Sequence, residues 1–235
     1  MLITKHNIGE LNLSKQELLE QGCTFLINKE LTWTSSDVVS KFRSLFKTKK
    51  VGHAGSLDPF ATGLLVISIG KDTKKINSFI DTNKCYIGTV KFGAETVSYD
   101  AEHPEIRLTH IDNISPKLIE AEISSFIGKL QQTAPIYSAK KHNGRRHYDL
   151  ARKNIAIEPK IKEVEIFNIS IKDIYMPFCE FEVECSKGTY IRSIAYDLGK
   201  KLDNSAYLFK LIRTQVGEFS LEDALKINEI TQYLK

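Results

Sequence analysis

Asp58 lies in the stretch "VGHAGSLDPFATGLL", residues 51–65, with His53 five residues ahead of it and Pro59 directly after. Proline drives its predecessor out of the α region, which biases the Asp58 backbone toward an extended form. Gly52, Gly55 and Gly63 allow positive φ or close approach of another chain segment. One carboxylate is therefore presented from a constrained loop, beside an imidazole and just downstream of the basic "KTKK" at 47–50. Taken singly, such an aspartate caps a turn and such a histidine is structural. Taken together, they suit acid–base or nucleophilic chemistry on an anionic partner. Metal-assisted hydrolysis needs a cluster of ligands at suitable spacing, and glycoside hydrolysis needs a second acid; neither has a clear counterpart in the sequence. A serine elbow, a phosphate-binding Walker loop and a dinucleotide fingerprint are also absent. Covalent or electrostatic catalysis by a single carboxylate is what remains.

The elements that must position this loop follow from the hydrophobic pattern. "TFLIN" at 24–28 predicts a short buried strand. The next helix is expected to be capped by Ser35 or Ser36, burying Val38, Val39, Phe42, Leu45 and Phe46 and displaying Lys41, Arg43 and Lys47. "LLVISIG" predicts a central strand, "KDTKKINSFID" a helix and "KCYIGTVKFG" a further strand. "SPKLIEAEISSFIG" has a Ser-Pro helix entry and a closing glycine. Asn143-Gly144 marks a tight reversal ahead of a short basic helix. Phe181, Val183 and Cys185 alternate with Glu182 and Glu184 as in a half-exposed strand. Gly188 then turns the chain into a helix expected to be capped by Thr189, with Ile191, Ile194, Ala195 and Leu198 buried. "AYLFKLIRTQVGEF" reads as a helix-to-strand passage and residues 220–235 as a short helical tail. No repeat or long linker interrupts the pattern, so one α+β domain over 1–235 is expected, with 1–23 as an N-terminal extension.

The chain has 235 residues, 42% of them hydrophobic, enough for a substantial core. Its net charge of +4 is unevenly placed. "KFRSLFKTKK" at 41–50 carries only positive charge, and "KKHNGRRHYDLARK" at 140–153 opposes one aspartate to six cations, a distribution suited to nucleic acid. Cys23, Cys85, Cys179 and Cys185 show no CxxC spacing and no neighbouring histidine cluster, so free thiols in a reducing compartment are expected. Neither a targeting segment nor a membrane span is apparent, and a cytoplasmic protein is expected.

The stretch "GHAGSLDPFATGLL" closely resembles the signature of the TruB family of tRNA pseudouridine synthases. "NKELTWTSSDVV", "KCYIGTVKFGAETVSYD", "APIYSAKKHNGRRHYDLAR", "VECSKGTYIRSIAYDLG" and "LIRTQVGEF" are similar to further blocks of that family, in the same order, over roughly residues 26–219. The resemblance implies a pseudouridine synthase fold: a mixed, mainly antiparallel central sheet flanked by helices and loops, with an RNA-binding cleft. It implies isomerisation of uridine 55 in the T loop of tRNA, without metal or cofactor. Asp58 matches the catalytic aspartate, which either attacks C1′ or removes a proton from C2′. Arg192 matches the arginine that pairs with that aspartate, an arrangement that orients a carboxylate and favours its charged form. Tyr86 matches the tyrosine that stacks on the flipped base, and His53 the residue that holds the T loop open. Tyr190 and Leu211 match positions lining the uridine pocket, and Asp100 an acidic member of the site's ion network. Lys29, Lys141 and Arg146 match basic positions that touch RNA phosphates or nearby structure, while Tyr148 is expected to pack the hairpin.

The sequence departs from the family pattern at several points. The usual Lys-Pro-x-Gly is Lys29-Glu30-Leu31-Thr32, two usual acidic positions are Val97 and Tyr99, and one proline of a Pro-Pro pair is Ala134. The length leaves no room for the C-terminal PUA domain of many members. A catalytic-domain-only monomer is expected, one that binds the tRNA T arm without an obligate protein partner.

Overall fold

The computed structural model describes residues 1–135 and 161–233, and the backbone of 141–142 and 145–146. In chain order the elements are β1 (Leu2–Ile3), α1 (Lys15–Gln21), β2 (Cys23–Lys29), α2 (Ser35–Phe46), β3 (Val51–Ala54), β4 (Thr62–Ile69), α3 (Ile76–Ile80), β5 (Lys84–Phe92), β6 (Ala94–Thr96) and β7 (Glu105–Leu108). There follow α4 (Pro116–Ser124), β8 (Gly128–Thr133), β9 (Lys141–His142), β10 (Arg145–Arg146), β11 (Ile161–Tyr175), β12 (Phe178–Cys185), α5 (Ile191–Lys201), β13 (Ala206–Val216), β14 (Phe219–Ser220) and α6 (Ile227–Tyr233). They gather into two compact units, Met1–Tyr86 with Leu211–Lys235 and Ile87–Lys210.

In the first unit β4 is the central strand. It pairs antiparallel with β2 over its whole length and with β3 at its C-terminal end, and parallel with β13 at its N-terminal end. Its apolar run is buried from Gly63 to Ile69 because both faces are covered. One face packs Leu64 and Val66 with Leu26, Ala54 and Val216, while Phe25 of β2 meets Phe42 and Phe46 of α2 at ring-centroid distances of 5.1 and 5.8 Å. The helix buries Val38, Val39, Phe42 and Phe46 as expected, leaves Leu45 half-buried, and leaves Lys41, Arg43 and Lys47 exposed.

The α2 cap is Thr34, one residue before the first of the two positions expected, Ser35 and Ser36. Thr34 and Asp37 form a reciprocal capping box, the Thr34 Oγ1 accepting from the Asp37 N–H at 3.0 Å and the Thr34 N–H donating to Asp37 Oδ2 at 2.8 Å. The Asp37 carboxyl sits below its ordinary range because the Thr34 side chain and backbone both donate to it. Ser35 faces inward instead. The expected helix over 71–81 is a 3-10 turn at Gly70–Lys75 followed by the short α3.

The second unit is built on antiparallel pairing of β11 with β12 and with β8. Phe181, Val183 and Cys185 are buried and their glutamate neighbours half-buried, the alternation read from sequence. Ser115 caps α4, with proline in the first turn. Ile191, Ile194, Ala195 and Leu198 of α5 are buried, but its N-cap is Tyr190 rather than Thr189, whose hydroxyl donates to the Ser186 carbonyl. The passage from Ala206 to Val216 is strand throughout, because its aromatic and β-branched residues suit a pleated surface. β9 and β10 pair antiparallel; the reversal expected at Asn143-Gly144, the helix expected beyond it and Tyr148 lie outside the described residues. With parallel and antiparallel strands beside helices, the fold is α+β. No helix among the described residues is long and apolar enough to cross a membrane.

Candidate active site

Asp58 is half-buried, and both its neighbours are fixed through their backbones. Ser35, buried at the start of α2, accepts from the Leu57 N–H at 2.9 Å and donates to the Leu57 carbonyl at 3.3 Å. The Pro59 carbonyl accepts from the Thr32 N–H at 2.9 Å and from Lys29 Nζ at 3.5 Å. The Asp58 carbonyl itself accepts from the Ala61 N–H at 3.1 Å. The loop is thus held residue by residue from β2, α2 and the segment joining them.

Lys29 is fully buried, and its ammonium donates to the carbonyls of Trp33 at 2.6 Å and Glu30 at 3.0 Å as well as Pro59. Thr32, at the glycine position of the family motif, keeps a left-handed φ of 70°. The Thr32 to Pro59 bond holds a β-branched residue in a region that glycine would occupy without strain.

His53, on β3, is half-buried and lies opposite Ile67 of β4. Tyr86 is half-buried on β5, two residues beyond the buried Lys84. The Lys84 ammonium donates to the carbonyls of Phe79 at 3.2 Å and Ile80 at 2.6 Å, and to that of Thr82, closing the end of α3. Leu211 is buried on β13. These residues, with Asp58 and Lys29, belong to the first unit.

Arg192, Asp100 and Tyr190 belong to the second unit. Asp100 is fully buried and Arg192 is 3% exposed; Arg192 Nη1 lies 3.0 Å from Asp100 Oδ2 and also donates to the Ser98 carbonyl at 3.2 Å. The other Asp100 oxygen accepts from Ser98 Oγ at 2.5 Å and from the Glu102 N–H at 3.0 Å. Every Asp100 oxygen is thus satisfied, the condition under which a buried ion pair is tolerated. Tyr99, beside it, has a φ of 63° and stacks on Tyr196 of α5, the ring centroids 3.9 Å apart. Burial, reinforced by Tyr196, pushes the Tyr99 hydroxyl up to about 12.

Tyr190 has no side-chain cap, and Gln132 supplies the missing contacts. The Gln132 carboxamide accepts from the Tyr190 N–H at 2.7 Å and donates to the Tyr190 carbonyl at 2.9 Å. One turn on, Ser193 Oγ donates to the Thr133 carbonyl at 2.9 Å. Gln132 and Ser35 are residues supporting these positions that the sequence reading missed. A buried glutamine in "LQQT" carries no signal of its own, since its partner lies 58 residues away. Lys141 and Arg146 are opposite one another in the β9–β10 pair; their side chains lie outside the described residues.

The family model for the TruB family pseudouridylate synthase N-terminal domain matches residues 43–191, which include Asp58, Tyr86, Asp100 and Tyr190. A protein of Chlorobium chlorochromatii called tRNA pseudouridine synthase B is 42% identical over 233 residues, covering 97% of this chain and 91% of the relative. One of the same name from Parabacteroides distasonis is 41% identical over 220 residues, covering 91% and 94%. Among solved structures, a chain of a Cbf5-Nop10-Gar1 complex superimposes with a TM-score of 0.73 at 21% identity, over 96% of this chain and 57% of that one, and so shares its fold. On the family match and on these identities over nearly the whole length of both chains, the protein is a member of the TruB family of pseudouridylate synthases.

Proposed function

We propose that this protein converts uridine 55 in the T loop of tRNA to pseudouridine. The observation that carries the reading is identity above 40%, over more than nine-tenths of both lengths, to proteins called tRNA pseudouridine synthase B. In the isomerisation the C1′–N1 bond breaks, the freed base turns, a C1′–C5 bond forms, and the C5 proton leaves while N1 gains one. No water is consumed, so a hydrolytic pair of acids is unnecessary. Asp58 is the carboxylate we assign to the sugar, acting on C1′ directly or on the C2′ proton. A pinned loop suits either role, because reaction from a bound geometry rewards fixed placement. Tyr86 is assigned to stack on the flipped base, His53 to the opened T loop, and Tyr190 and Leu211 to the uridine pocket. Arg192 is assigned as the cation that orients Asp58, with Asp100 anchoring its guanidinium. Lys141 and Arg146 are assigned to phosphates. We further propose that the chain works as a cytoplasmic monomer, as one catalytic domain, with neither metal nor cofactor.

The test is incubation of a T-arm stem-loop RNA with purified protein, comparing wild type with Asp58→Asn and scoring pseudouridine site by site. Modification at the T-loop uridine that is lost in the variant is the expected result. Equal RNA binding without product from either protein would refute the assignment. Release of free base would point to a nucleosidase instead.

A further inference from the structure

Arg213 is 1% exposed, and among the described residues no carboxylate lies within ion-pair distance of it. A buried guanidinium is charged at any accessible pH and is costly unless its donors are satisfied. Its three polar partners are carbonyls at the two ends of one loop: Leu64 accepts from Nε at 2.7 Å, Gly55 from Nη2 at 3.1 Å and Ser56 from Nη1 at 3.4 Å. Gly55 and Ser56 precede Asp58 and Leu64 follows it, so one planar group bridges the neck of the loop that carries the carboxylate. The backbones fit this use. Gly63 is paired with Arg213 in the β4–β13 register, and with a φ of 104° its missing Cβ would run into the Arg213 backbone. Gly55, at a φ of 83°, brings its carbonyl round to the guanidinium. Three donors in a rigid plane fix the relative position of three carbonyls, which an ammonium cannot do.

We propose that Arg213 is a positioning residue for Asp58: it closes the neck of the 55–64 loop while Ser35 pins Leu57 at its tip, and together they fix where the carboxylate points. Arg213 has no task on the substrate here; the inference rests on the proposed uridine chemistry for its kinetic consequence alone.

The test compares wild type, Arg213→Lys and Ser35→Ala as full chains, using single-turnover pseudouridine formation on T-arm RNA, RNA affinity, and amide hydrogen exchange of residues 55–64. Arg213→Lys keeps the charge and loses the fork. Its rate should fall by about 10- to 100-fold, the scale of an ångström-sized misplacement, with RNA affinity within about twofold of wild type. Exchange should quicken in 55–64 and not in β2. Ser35→Ala removes one hydroxyl and should show the same split with a fall of about threefold to tenfold. It carries the test if Arg213→Lys does not fold. A folded Arg213→Lys with wild-type rate and wild-type loop exchange overturns the proposal, as does a Ser35→Ala protein that is wild-type in both. The exchange measurement reads the loop even if the wild type forms no pseudouridine, an outcome that would remove the functional reading instead.

Discussion

Replacing Gln132 with leucine removes both contacts that hold the Tyr190 backbone at the start of α5. The two losses are unequal. The Tyr190 carbonyl still accepts from the Ser193 N–H at 3.1 Å and the Ile194 N–H at 3.4 Å, so it remains satisfied within the helix. The Tyr190 N–H has Gln132 Oε1 as its acceptor, and Gln132 is 1% exposed, so water does not readily replace it. An orphaned, largely buried N–H costs about 1–3 kcal/mol and the surviving partner's lost bond about 1 kcal/mol more, which sums to roughly 2–4 kcal/mol. For a chain of this size that is a fall in thermal midpoint of roughly 4–16 °C. Arg192 lies two residues beyond Tyr190, so the single-turnover rate should fall by at least about tenfold, with RNA affinity nearly unchanged. Gln132→Glu sharpens the test. A protonated glutamic acid retains one acceptor and one donor, whereas the carboxylate sets a lone pair against the Tyr190 carbonyl. The charged form is penalised in the folded state, so the folded pKa lies above the unfolded one, and stability relative to wild type should be best at low pH and decline as pH rises through that raised value. A midpoint within about 2 °C of wild type for Gln132→Leu, with an unchanged rate, would show that the clamp does not position α5.

Asp100→Asn should cost about 3 kcal/mol in urea unfolding, because it removes one partner of a buried ion pair. Thr34→Ala breaks the α2 capping box and should cost about 1 kcal/mol in the same experiment. Thr32→Gly should raise the thermal midpoint, since relief of about 1–2 kcal/mol of left-handed strain exceeds the added freedom of the unfolded chain, and a lowered midpoint would contradict the strain argument. The Asp197 carboxyl is pushed up by burial, with Lys201 opposing only in part. Its charging therefore penalises the fold above the raised pKa and not below the unfolded value, so Asp197→Asn should be more stable than wild type at neutral pH and converge with it below about pH 4.

Local periodicity and punctuation made most elements legible. The alternation at 181–185, the helical spacing after Thr34 and the Ser-Pro entry at 115–116 each rest on interactions only a few residues long, which a sequence displays directly. What was misread depends on distant partners. Ser35 looked like a cap because serine caps helices, yet Leu57 of the Asp58 loop draws its hydroxyl inward and leaves capping to Thr34. Thr189 looked like a cap for the same reason, but its hydroxyl turns back to Ser186 while Gln132 reaches Tyr190 from another strand. Ala206–Val216 also contains helix-compatible residues, and its strand partners, β4 among them at Ile212 and Arg213, are not visible in the local sequence. The candidate site divides along the same line. Residues expected to meet substrate were found through the family resemblance, whereas the residues that hold them carry no motif visible to a reader of one chain.

The same distinction corrects what net charge says about RNA. Lys29, Lys84, Arg192 and Arg213 are four buried cations in a chain whose formal excess is +4. Each donates to backbone carbonyls, and Arg192 also pairs with Asp100. A buried cation held in this way cannot release counterions from a phosphate, so it adds nothing to the salt dependence of binding. The exposed charges can: Lys41, Arg43, Lys47, Lys49 and Lys50 all lie on the surface of the first unit. If affinity for tRNA is electrostatic, neutralising Lys49 and Lys50 should flatten the dependence of log Kd on log salt by about 0.9 per lost phosphate contact. Lys29→Met should leave that slope unchanged while lowering stability. A Lys29→Met protein that folds normally and loses salt-dependent affinity would show that its ammonium reaches RNA after all, and the loop-bracing role assigned to it would have to be given up.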